Sequence, residues 1–348
     1  ALDLQRLLLR LQRCGGEQQQ RPRLLQSISS MARTSSSGWS SWMDAPTVAA
    51  ELNAASLHVA DRVIEHLKLG TEATDLLASP KITLSGAATV DRLPATVATA
   101  VATEGDRIAA RNLIVTLGTS KVAGDVAMAN GLLTGKLALD APALQEIGPL
   151  AGVAMAGELS ADITLDAANG RQSAHLSATG QRIAAGDVFK TARLDAAATA
   201  DDLFGKPAIS ADVKLADPVI ADQTLTQVSL TAKGPLTALE TTLSATGQDL
   251  TAKAEAEIAQ IAAGYRVTVR SLTADVKDIK LKSRKPALIT LENDTTRIEN
   301  VDLAIEDGSL QLNGSIAPDA MEFAATIDSL PLSLARPLAP GLRITGRL

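Results

Sequence analysis

The stretch Glu158–Ala167 reads ELSADITLDA, and its side chains alternate without a break. Leu159, Ala161, Ile163 and Leu165 fall on one side of an extended chain, and Ser160, Asp162, Thr164 and Asp166 on the other. Successive residues of a strand point to opposite faces, so such a segment has one dry and one wet face. The same alternation recurs in KITLSGAATV (81–90), SADVKLAD (210–217), QVSLTAKG (227–234) and RVTVR (266–270). Clusters of turn-forming residues, as in DAANGR, DLFGKP and EDGS, separate the runs. Segments of eight to twelve residues that pass directly into turns favour antiparallel pairing, because parallel crossovers need more chain.

Few segments read otherwise. APALQEIGPLAG (141–152) is a short helix candidate, and VADRVIEHLKL (59–69) is another. TAKAEAEIAQIAAG (251–264) alternates but is rich in Ala and Glu, which favour helix; it is assigned here to a strand. Residues 1–47 differ in texture. Leu4, Leu7, Leu8 and Leu11 follow helical spacing among Arg6, Arg10 and Arg13, ahead of Gly-, Gln- and Ser-rich sequence. This arm reads as a basic amphipathic helix or a disordered end, and residues 48–348 as one repetitive array. The array is all-β, with about two dozen strands in a long curled antiparallel sheet or a β-solenoid-like stack. At about 4.8 Å per strand the sheet runs on the order of 100 Å.

Internal repetition supports an extended array. RIAARNLIVTLGTSKVAGDV from Arg107 aligns without a gap with RIENVDLAIEDGSLQLNGSI from Arg297, placing Gly118 on Gly308 and Gly124 on Gly314. AGVAMAGEL (151–159) answers PGLRITGRL (340–348). LKLGTEATDLLASPKI from Leu67 aligns with LDAAATADDLFGKPAI from Leu194, matching Asp75 with Asp202 and Pro80 with Pro207.

Composition narrows the function. The 348 residues are 46% hydrophobic but only 2% aromatic, so the dry face is built from Ala, Leu, Val and Ile. A net charge of −6 argues against nucleic acid, which needs a basic footprint. One cysteine, Cys14, excludes a disulfide framework. No run of apolar residues is long enough to span a membrane as a helix. The chain starts at Ala1 and ends within strand-like RITGRL, and it reads as an internal piece of a longer protein.

No catalytic constellation emerges. ANGLLTGKL imitates a phosphate loop, but Asn130 stands where the first glycine is needed and Leu137 where a magnesium-binding hydroxyl is needed. His58, His66 and His175 lack zinc-site partners, and His175 falls on the wet side of its strand. Asp201–Asp202 are read as turn residues, and so is Asn313-Gly314, although NGS at Asn313 and NDT at Asn293 match the glycosylation pattern. The expectation is a protein that is not an enzyme and has no metal or cofactor. Its candidate functional surface is the dry face: Leu113, Val115, Leu137, Leu139, Leu159, Ala161, Ile163, Leu165, Val213, Leu215, Val228, Leu230, Val267, Val269, Leu303 and Ile305.

GLLTGKLALDAPALQEIGPLAGVAMAGELSADITLDA (131–167), GDVFKTARLDAAATADDLFGKPAISADVKLA (186–216) and IDSLPLSLARPLAPGLRITGRL (327–348) resemble segments of the TamB family, the translocation and assembly module subunit of Gram-negative bacteria. The likeness covers about residues 50–348, and the wider AsmA-like group shares the texture. It implies a periplasmic protein, anchored in the inner membrane, whose strands form a curled sheet with a hydrophobic, taco-like groove. It further implies contact with phospholipid acyl chains, a role in outer-membrane protein assembly, and an Omp85-type, TamA-like outer-membrane barrel as partner. The family's membrane anchor and barrel-engaging portion have no match here, so only the groove carries over. Two other functions compete: a scaffold that holds unfolded outer-membrane proteins by adding their strands to its edge, and a surface β-solenoid.

Overall fold

The computed structural model describes residues 28–33, 47–59, 62–75, 80–220, 223–277 and 279–329. They form a single 23-stranded sheet in which every pair is antiparallel. The first strands are β1 (Ile28–Arg33), β2 (Val48–Val59), β3 (Arg62–Thr74), β4 (Lys81–Val90), β5 (Leu93–Glu104), β6 (Arg107–Leu117), β7 (Ser120–Ala129) and β8 (Leu132–Ala141). After a helical connection come β9 (Met155–Ala168), β10 (Arg171–Ala185), β11 (Phe189–Asp201), β12 (Ala208–Ala216), β13 (Val219–Ile220), β14 (Gln223–Thr224), β15 (Gln227–Pro235) and β16 (Leu239–Thr246). The rest are β17 (Leu250–Ile261), β18 (Gly264–Val276), β19 (Ile279–Ser283), β20 (Ala287–Glu292), β21 (Thr295–Ile305), β22 (Gly308–Ala317) and β23 (Ala320–Asp328).

Each strand pairs with its neighbour in sequence, apart from two local interruptions. β13 continues β12 alongside β11 and forms a small hairpin with β14, and β12 pairs directly with β15. β19 and β20 together fill one position between β18 and β21. This meander excludes the stacked parallel rungs of a β-solenoid. It needs only tight turns, and the sequence supplies them. Asn130-Gly131 (φ 52° and 75°) and Asn169-Gly170 (φ 52° and 73°) adopt the left-handed pair whose twist matches a two-residue hairpin.

Several sequence expectations change in detail. Val59–Leu69 is not helical; its described residues belong to β2 and β3. Asn313-Gly314 is no turn but lies inside β22, paired with Ala324 and Phe323. Within the expected arm, Ile28–Arg33 form β1 and pair with β2, while the Leu4–Leu11 spacing lies outside the described residues. The segment 251–264 is strand β17 running into β18, as expected.

Two of the repeats hold in the structure, one of them in another register, and the match of 151–159 with 340–348 lies outside the described residues. β3 and β11 each span 13 residues, and Asp75 (φ 55°) and Asp202 (φ 54°) end them alike, as the alignment from Leu67 and Leu194 requires. The longer repeat is displaced. β6, β7 and β8 correspond to β21, β22 and β23 at a spacing of 188 residues, against 190 in the sequence alignment. Both β6 and β21 carry a bulge at a left-handed asparagine, Asn112 (φ 53°) and Asn300 (φ 60°). In each, its backbone N–H donates to the next strand at 2.7 Å, to Asp125 Oδ1 or to Asn313 Oδ1. Gly118 (φ 58°) therefore matches Glu306 (φ 50°), not Gly308, which opens β22 as Ser120 opens β7. The two-residue difference keeps each residue on its face, because the side-chain period is two.

Among the described residues one buried cluster lies under a covering segment. Between β8 and β9 the chain forms the helical turn α1 (Leu144–Ile147) and a 3₁₀ turn (Gly148–Ala151), as expected for 141–152. Pro149 suits the start of that turn, and left-handed Gly152 (φ 71°) closes it by donating its N–H to Gly148 O and Pro149 O. Leu144 is 1% exposed and packs with Ala141 and Ile183. Leu139, Leu159, Leu194, Met155 and Phe189 surround this centre.

The same short segment touches strands far apart in the sheet. Arg62 Nη2 at the start of β3 donates to Leu150 O (2.6 Å) and Pro149 O (3.3 Å), and Arg62 Nη1 to Asp91 Oδ2 (2.7 Å). Thr119, in the β6–β7 turn, donates its N–H (2.7 Å) and Oγ1–H (3.0 Å) to Glu146 Oε2. On a flat sheet β3 and β11 would stand about 38 Å apart. One α-turn and one 3₁₀ turn extend only about 14 Å. The strands must therefore curl around this plug. Bulges at left-handed His66, Asn112 and Arg182 increase the local twist and bend that curling needs.

The apolar face as candidate functional site

Directly opposed residues of an antiparallel pair project from the same face, so the ladders assign every side chain a side. Leu113 opposes Gly124, which opposes Leu137, which opposes Ile163. Val115, Val122, Leu139 and Ala161 form the next row. Leu165 pairs with Gly135 and Leu159 with Ala141. The rows continue through β10 and β11, where Ala196 meets Val213 and Leu194 meets Leu215. Val213 then opposes Leu230, and Leu215 opposes Val228. Through Leu243, Ala254, Ala256 and Ile258 the face reaches Val269 and Val267, and through Ile289 and Ile298 it enters the row of Leu303 and Ile305. All sixteen sequence-predicted residues share one face of one sheet.

That face is not sealed. Ala161 (8%), Val228 (9%) and Ile305 (7%) are buried, and Val115 and Leu230 are exposed. The other eleven are half-buried. Sequence reasoning missed part of the surface. Leu243, Tyr265, Leu291, Ile316, Met321, Phe323 and Ile327 are exposed on the same face, and the same alternation could have found them. At the paired positions from β15 to β23 no residue of this face carries a formal charge. Two of the polar residues on this face bond to backbone. Thr241 Oγ1 donates to Ala256 O (3.0 Å), and Ser283 Oγ accepts from Leu272 N (2.9 Å). At the end of β10 away from the plug, buried Gln172 (2% exposed) accepts from Leu133 N (2.6 Å) and donates to Leu133 O (2.9 Å).

The opposite face is charged and wet. His175 and Asp162 lie there, exposed, and Lys214 Nζ reaches Asp212 Oδ1 at 3.3 Å. Arg193 grips Asp195 through two hydrogen bonds of 2.7 and 2.8 Å, which hold the Asp195 carboxyl below the ordinary carboxylate range. Lys253 (2.6 Å) does the same to Glu255, helped by Ser271. Arg270, in the β17–β18 bulge, bonds both Glu240 (3.0 Å) and Glu257, which raises its own pKa further. These exposed pairs contribute little to stability and chiefly keep this face in water.

Candidate chemistry elsewhere dissolves in the structure. ANGLLTGKL is the Asn130-Gly131 hairpin followed by strand β8. Among the described residues no group of His, Cys, Asp or Glu could hold a metal ion. Nor is any described helix long and apolar enough to cross a membrane. Comparison with protein-family models, curated proteins and solved structures found no match for this chain.

Proposed function

We propose that this chain is a segment of a hydrophobic β-groove that conducts phospholipid between the inner and outer membranes across the periplasm. The observation that carries the reading is the single apolar face, continuous over the strands and largely open, backed by a charged face. Lipid tails suit such a surface: burying each CH₂ contributes about 0.8 kcal/mol. Rows of similar aliphatic residues without charges offer many equivalent resting places and no deep trap. The TamB-like segments agree with this reading, and they suggest inner-membrane anchoring and an Omp85-type, TamA-like barrel as partner, both through regions beyond this chain. Support of outer-membrane protein assembly belongs to the same proposal.

Ile163→Arg tests it. On an open face the arginine snorkels to water, so the sheet survives, while a charge in the apolar path hinders acyl chains. Lipid mass spectrometry of the purified protein should then find less phospholipid than in the parent. Equal loading of the two, or no phospholipid on either, rejects the groove.

A second reading has one observation in its favour. β23 pairs only with β22 among the described residues, leaving an edge to which an extended peptide can add. A scaffold of this kind would capture peptides from outer-membrane barrel strands and carry no lipid.

A further inference from the structure

From β15 to β23 the paired positions of the dry face hold five polar side chains: Thr241, Ser283, Gln260, Tyr265 and Thr296. Thr241 and Ser283 lie inside the face, each bonded to backbone. The other three stand in the outermost row at one end of the strands. There Gln260 opposes Tyr265, Tyr265 opposes Leu291, and Leu291 opposes Thr296. Gln260 and Tyr265 are exposed and Thr296 is half-buried. None of these three side chains hydrogen-bonds another described residue. The next row inward is purely aliphatic, with Ile258, Val267, Ile289 and Ile298. The outermost row at the other end of these strands, Leu250, Val276 and Ile279, is aliphatic too. This open stretch is therefore graded along the strands, with free polar groups at one margin only.

We propose, resting on the phospholipid reading above, that this margin holds the glycerol–ester region of a diacyl phospholipid and does not select on headgroup charge. The acyl chains then run along the strands toward the aliphatic end. Tyrosine suits such a boundary, because its ring is apolar and its hydroxyl needs a polar partner. The Tyr265 and Thr296 hydroxyls and the Gln260 amide donate to ester carbonyl oxygens, and the chains lie on Ile258 and Val267 beyond them. The length agrees. From Tyr265 to Val276 the strand advances eleven residues, about 36 Å. The hydrocarbon of one leaflet is only about 15 Å deep. Because no formally charged side chain shares this face, nothing on it tells an anionic headgroup from a zwitterionic one. Thr296 stands two strands, about 10 Å, from Tyr265, so a moving lipid finds a further donor along the same margin.

Lipid uptake by the delipidated full chain tests this, with bound lipid counted by mass spectrometry. The probes are vesicles of dioleoyl phosphatidylcholine, of dioleoyl phosphatidylglycerol, and of the dialkyl ether analogue of phosphatidylcholine, which lacks the ester carbonyls. The parent should load the two ester lipids equally at low and at high salt, and the ether lipid about fivefold less. Gln260→Met, Tyr265→Phe and Thr296→Val together should bring ester loading down to the ether level and leave ether loading and the far-UV strand signal unchanged. Tyr265→Phe alone, at an exposed position, should give part of that loss. Three results overturn the margin while leaving the groove standing: equal ester and ether loading by the parent, a several-fold preference for one headgroup, or an ester preference that survives the triple change. A parent that takes up none of the three lipids rejects margin and groove together.

Discussion

β8 and β23 are the same strand by position in the repeat, yet they live differently. Leu133, Leu137 and Leu139 of β8 are half-buried, while Met321, Phe323 and Ile327 of β23 are exposed. Alternation, bulge and hairpins agree; the difference among the described residues is that β8 has β9 on its other side and a plug above it. A dry face is thus only a potential core. What closes it is a connection long enough to cross over it.

The volume along these rows also differs, with sizes exchanged between neighbours. Gly124 sits between Leu113 and Leu137, and its counterpart Leu312 between Val301 and Ala325. Val126 opposes Gly135, whereas Gly314 opposes Phe323, whose ring occupies the space a Cβ at 314 would need. In both rows the bulk moves one strand over, and in the second it also grows, from Val126 to Phe323.

Gly124→Leu should break the comparison most strongly. A Cβ there would stand 1.9 Å from Lys136 O at φ 156°. Strain and overpacking together should cost roughly 3–5 kcal/mol, read as faster hydrogen exchange in β7 and β8. Adding Leu113→Val and Leu137→Ala, which copies the second repeat's sizes, should recover less than half of the loss. The backbone contact remains, and full recovery would show that volume alone decides.

Next comes the plug. Leu144→Ala should cost about 3 kcal/mol locally, and Leu243→Ala, at 44% exposure, about 1 kcal/mol or less. Hydrogen exchange in β8–β10 and in β15–β17 measures both. Equal losses would mean that the plug covers no real core. Local readouts are needed, because a long array of neighbour contacts does not unfold in one step.

The smallest effect should be common to both regions. Asp195 beneath the covered part and Glu255 beneath the open part both have lowered pKa values. Their pairing stabilises the fold at pH above the ordinary carboxylate range. It is lost as pH falls through the lowered folded values, where the carboxylates gain protons. NMR titration of the two carboxyls should find both midpoints below those of a free side chain, and added salt should weaken the shift. A shift at only one of them would show that the wet faces differ after all.

What the chain alone determined is local. Alternation assigned all sixteen residues to a dry side, and DAANGR, DLFGKP and EDGS placed three of the hairpins, because side-chain period and backbone sterics act within a few residues. The two-residue error in the longer repeat had a local source too: glycines at 118 and 308 drew the alignment, although left-handed Glu306 takes the place of Gly118. Only the tertiary structure decided which part of the face is covered. Arg62 and Thr119 meet one helical segment although they lie 88 and 27 residues from their contacts along the chain. Such meetings depend on bulges bending the sheet until distant strands converge, and that curvature accumulates over many strands that no short window of sequence contains.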